Sequence, residues 1–85
     1  MSSFSDNWRD DLKRENYEAW IRLCECHNTR TDLKNIAKRC WKENRTKHTK
    51  EECLDHIIEW ICGDNNQVSL IPDDDEYKKI LDYMG

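Results

Sequence analysis

Two pairs of residues stand at a spacing that suits a metal ion: Cys24 with His27 and Cys53 with His56. Three residues apart on a helix, the members of each pair share one side, so two packed helices could offer two sulfurs and two imidazoles to a zinc ion. The ligand count is that of a structural zinc site. Against it, zinc modules usually take their ligands from tight turns, and cysteine is also a common small core residue. The favoured reading is buried free thiols with peripheral histidines. Zinc held by Cys24, His27, Cys53 and His56 stands as the alternative, and no other cofactor is implied.

A second group of residues could do chemistry through charge alone. Residues 30–50 carry eight basic and two acidic side chains, whereas residues 51–85 carry two basic and ten acidic ones. Lys34, Lys38 and Lys42 recur every four residues and so form a ridge along one helix, which Arg39, Arg45 and Lys47 broaden and extend. Trp41 beside it could supply an apolar anchor, since tryptophan and arginine are enriched at binding hot spots. Surface ion pairs add at most about 1 kcal/mol each, so stability alone is a weak reason for so dense a ridge. Three readings compete: a solvated face paired with acidic residues such as Glu51 and Asp55, a docking surface for an acidic protein, or a nucleic-acid contact. A helix-turn-helix is disfavoured because the following helix displays Glu51, Glu52, Asp55 and Glu59, which phosphate would repel.

Catalytic signals are weaker. Asp55 and His56 with a distant cysteine have the residue types of a nucleophilic triad, but no surrounding motif positions them. The run Asp73-Asp74-Asp75-Glu76 lacks the alternating ligands and central glycine of a calcium loop, and a helix N-terminus accounts for it. The sequence therefore predicts a protein that is not an enzyme.

The elements that must position these residues follow from apolar spacing. Leu33, Ile36, Ala37, Cys40 and Trp41 fall at i, i+3, i+4, i+7 and i+8, which predicts an amphipathic helix over 32–44. Thr49 with Glu52 reads as a capping box opening a helix over 49–62, with Cys53, Leu54, Ile57, Ile58 and Ile61 inward and Trp60 off the main face. Gly63 stands where a left-handed residue would end it. Pro72 and the acidic run start a helix over 73–84, on which Tyr77, Ile80, Leu81 and Met84 share a stripe. Before these, Ser5 can cap helical sequence over 6–27, on which Trp8, Leu12, Ala19, Leu23 and Cys26 or His27 lie near one stripe. Glu15 and Asn16 interrupt it, so one long helix and two shorter ones meeting near Asn16 are both admissible. Residues 68–71 form a short apolar run, either an extended segment over the core or a minor strand.

Composition bounds the class. Eighty-five residues make one domain, 1–85, with no room for a second core. Two glycines and one proline argue against a turn-rich β protein. The expected fold is thus all-α, a compact bundle of about four short helices. Five irregularly spaced cysteines do not read as a paired secretory framework, the opening residues lack a signal-peptide pattern, and no window approaches a membrane span. These features predict a soluble intracellular protein, cytoplasmic or nuclear. Its leading function is protein–protein interaction as an adaptor, regulator or inhibitor, docking through Lys34, Lys38, Arg39, Trp41, Lys42, Arg45 and Lys47 or through the acidic face of 51–85. Nucleic-acid binding by the 30–50 segment is the alternative. A small, highly charged, autonomous chain is also the composition of viral and phage factors that block host machinery.

Overall fold

The computed structural model describes residues 7–25, 30–65 and 70–85. Among them the chain is all-α, with helices α1 (Trp8–Glu15), α2 (Tyr17–Cys24), α3 (Arg30–Asn44), α4 (Lys50–Trp60) and α5 (Asp74–Met84). The outer ends of the segment expected over 6–27, with Ser5, Cys26 and His27, lie outside the described residues, as do Val68 and Ser69 of the short apolar run. The radius of gyration, 11.7 Å, matches the roughly 12 Å of a fully packed chain of this length.

The N-terminal helical sequence is two helices. Asn16 leaves helical geometry (φ −124°, ψ 42°) while its amide N–H still donates to the Leu12 carbonyl at 2.8 Å and its own carbonyl accepts from the Trp20 amide at 2.8 Å. One residue therefore closes α1 and opens α2. The bend resolves the interruption at Glu15 and Asn16, because Leu12 on α1 and Ala19, Trp20 and Leu23 on α2 all reach the same core.

Helix α3 is central, packing against α1, α2, α4 and α5. Its apolar stripe behaves as the spacing predicts: Leu33, Ile36, Ala37 and Cys40 are fully buried and Trp41 packs at the core margin. A turn follows in which the Lys47 and His48 amides both donate to the Asn44 carbonyl. Then α4 opens on the capping box: Thr49 Oγ1 accepts from the Glu52 amide at 3.1 Å, and Glu52 Oε1 accepts from the Thr49 amide at 2.9 Å. That amide is the main reason the Glu52 carboxyl is held below its ordinary range.

Two local expectations are corrected and one open alternative is decided. Trp60 is not off the inner face of α4 but buried in it, packed against Trp20 with ring centroids 4.1 Å apart and the ring planes tilted by 36°. Trp60 stands seven residues after Cys53 and three after Ile57, so the buried stripe is wider than Cys53, Leu54, Ile57, Ile58 and Ile61 alone suggest. The minor strand does not form at Leu70 and Ile71; Leu70 closes the core with its side chain, and its carbonyl accepts from the Arg30 guanidinium instead of a strand partner. Gly63 does not end α4 in the left-handed region. The helix widens into a π-turn, Ile61–Asn65, which carries the chain through Gly63 with φ negative, and a β-carbon there would meet nothing within 4 Å. Gly63→Ala should therefore raise stability by about 0.4–1 kcal/mol through the unfolded chain's entropy, read as a higher urea midpoint. A left-handed cap would give a loss.

Candidate functional site

The basic ridge rides on α3, whose inner stripe locks the helix in place and so fixes where each cation projects. The structure divides these residues into those spent inside the molecule and those left outward. Lys34 lies at the seam with α5, its Nζ 3.8 Å from Glu76 Oε1. On the opposite side, Arg39 Nε meets Glu15 Oε2 at 3.2 Å and ties α3 to α1. Trp41 faces the core margin and is only partly exposed. The internal partners of the ridge are thus Glu76 and Glu15, not Glu51 or Asp55. Asp55 instead accepts from the Tyr77 hydroxyl at 2.6 Å, and burial together with that bond pushes the Tyr77 phenol far up.

Lys38 holds an intermediate position. Its ammonium lies 4.9 Å from the centre of the Tyr83 ring, a cation–π contact with α5, while Tyr83 donates to Asn35 Oδ1 at 2.9 Å. Lys38 stays exposed. Together with Arg39 and Lys42 it lines a groove of about 640 Å³ between α3 and the α1–α2 bend, whose other walls include Arg14, Glu15, Tyr17 and Glu18. Tyr17 is the most exposed large apolar side chain among the described residues, at 66%. Lys42, Arg45 and Lys47 are all exposed, and none forms an ion pair with a described residue.

A buried ion pair was not anticipated from the residues. Asp32 is 2% exposed, and Arg22 Nε donates to both of its carboxylate oxygens at 3.0 Å, joining α2 to α3. A signal was present: Asp32, Ile36 and Cys40 stand four apart on the buried stripe, an unfavourable place for an unpartnered carboxylate. His48 was also without an assigned role. It is buried in the turn before α4, with Nδ1 3.9 Å from Glu52 Oε2.

The four residues considered for zinc are not shown as one cluster. Cys24 is exposed near the end of α2, Cys53 is fully buried in α4, and His56 sets its ring edge against Trp8 at 5.1 Å between centroids. His27 lies outside the described residues. Burial lowers the His56 imidazole below its ordinary value. Among the described residues no group of three or more His, Cys, Asp or Glu is arranged to hold a metal, and no described helix is long and apolar enough to cross a membrane. No family model, curated protein or solved structure matches the chain.

Proposed function

We propose that this protein is a non-enzymatic interaction module, an adaptor, regulator or inhibitor, that docks an acidic protein surface through the outward cations of α3 and its following turn. The observation that carries the reading is the set Lys42, Arg45 and Lys47: exposed, consecutive along the rim, and without ion-pair partners among the described residues. Lys38 and Arg39 continue the rim into the groove that Tyr17 borders. Clustered unpaired cations raise association rates and choose partners by sign more than they add stability.

A protein partner suits this surface better than a nucleic acid does. Glu15 and Glu18 share the groove with the cations, and Glu43 is exposed on α3 between Lys42 and Arg45. Mixed sign interrupts a continuous phosphate track but suits discrete carboxylates on a folded surface.

The test uses a fluorescent glutamate-rich peptide as probe. Binding at low salt should weaken steeply as salt rises, and the double variant Lys42→Glu, Lys47→Glu should bind at least about tenfold more weakly. Its melting temperature should stay close to that of the parent, because neither lysine forms an ion pair with a described residue. Unchanged binding by the variant would remove the reading. Tighter binding of duplex DNA than of the peptide would replace it with the nucleic-acid one.

A further inference from the structure

The groove between α3 and the α1–α2 bend has walls of opposite character. On the α3 side stand Lys38, Arg39 and Lys42 with no carboxylate among them, whereas the bend presents Glu15, Tyr17 and Glu18 beside one cation, Arg14, which lies 2.8 Å from Asp11. One wall attracts anions and the other repels them. Arg39 is already tied to Glu15 across the groove at 3.2 Å, while Lys42, Glu18 and the Tyr17 hydroxyl have no polar partner among the described residues. Tyr17 is the first residue of α2, placed by the bend at Asn16, and at 66% exposure it holds a large ring out in water on the acidic side. The groove's volume of about 640 Å³ falls within the roughly 300–1,000 Å³ of clefts that bind small ligands.

We propose that this groove binds an extended peptide segment in which acidic and aromatic residues alternate; the assignment rests on the docking reading above and names the partner's chemistry. Spacing favours extended backbone. Lys38 and Lys42 are four residues apart, about 6 Å along α3, and side chains two apart on an extended chain share a side at about 6.7 Å. Carboxylates at alternate positions therefore match the two ammonium groups. Lys38 is steadied by the Tyr83 ring at 4.9 Å yet stays exposed, and Lys42 is exposed as well.

The residue between those carboxylates points the other way, toward the bend. There Glu15 and Glu18 would repel a third carboxylate, and Tyr17 offers an aromatic side chain a ring to pack on. The polar side chains in the walls suit the same ligand. Asn35 Oδ1 accepts from the Tyr83 hydroxyl, which leaves its Nδ2 to donate, and Asn16 Nδ2 donates to the Leu12 carbonyl at 3.5 Å, which leaves its Oδ1 to accept. An extended segment brings backbone groups of both kinds.

The experiment measures fluorescence anisotropy of the full-length protein with two labelled peptides of one composition, Glu-Phe-Glu-Phe-Glu and Glu-Glu-Glu-Phe-Phe. The alternating peptide should bind at least about fivefold more tightly, since only it can face its acids to α3 and its rings to the bend. Tyr17→Ala should bring its affinity down to that of the blocked peptide, leaving the blocked peptide's binding and the melting temperature unchanged. Tyr17→Phe should keep the preference. Equal affinity for the two peptides, or a Tyr17→Ala variant that still prefers the alternating one, would overturn the inference. If both peptides bind equally and both are lost in the Lys42→Glu, Lys47→Glu variant, the docking reading stands and only this assignment falls. If neither peptide binds, both fall together.

Discussion

Trp60→Ala is expected to lower stability by about 3–5 kcal/mol, the usual cost of deleting a buried aromatic. Few substitutions in this molecule should cost more. Trp60 is 4% exposed and packed against Trp20, itself 5% exposed, so alanine would empty the junction of α2 and α4 and leave the Trp20 ring without its partner. A chain of this size has roughly 4–13 kcal/mol of total stability at the usual increment per residue, so the loss amounts to roughly a quarter of it or more. Urea denaturation followed by circular dichroism measures the effect. Trp41→Ala provides the internal scale, because Trp41 lies at the core margin and should lose less than half as much. Equal losses at the two positions would contradict the burial assigned to Trp60.

Arg22→Ala should be the most costly charge deletion, about 2–4 kcal/mol. Removing the guanidinium strands the Asp32 carboxylate, which is buried and takes both Nε contacts from Arg22. The expected loss sits toward the lower part of the range for broken buried pairs because the Arg22 side chain is 49% exposed, and water weakens its attraction. Exposed pairs give the contrast. Arg14 and Asp11, 2.8 Å apart on α1, both face solvent, and Arg14→Ala should change stability by less than about 1 kcal/mol. A double-mutant cycle of Arg22→Ala and Asp32→Ala isolates the interaction and should return a coupling above about 1 kcal/mol. Independent, additive losses would mean that the pair contributes only through packing.

These two expectations mark where reading along the chain stopped short. Within single helices the residues were legible: the α3 stripe from Leu33 to Cys40 is buried in full, Thr49 and Glu52 form their reciprocal cap, and the acidic run after Pro72 opens α5. Each is a relation across four to eight residues, which helical periodicity fixes on its own. The candidate site was legible in its residue types but not in their use. Lys34, Lys38 and Lys42 stand on one helix at regular spacing, yet Lys34 meets Glu76, Lys38 lies over Tyr83, and Lys42 has no described ion-pair partner.

What the sequence determined by itself was the all-α class, the central amphipathic helix and the segregation of charge, because backbone hydrogen bonding and apolar spacing act locally. Tertiary structure decided which partner each side chain found: Trp20 for Trp60, Arg22 for Asp32, Glu15 for Arg39. Those pairings join different helices, and they depend on the bend at Asn16 and on how α4 and α5 lie against α3. Burial and pairing energies are realised only when surfaces distant in the chain close on each other, so no spacing along a single element could specify them.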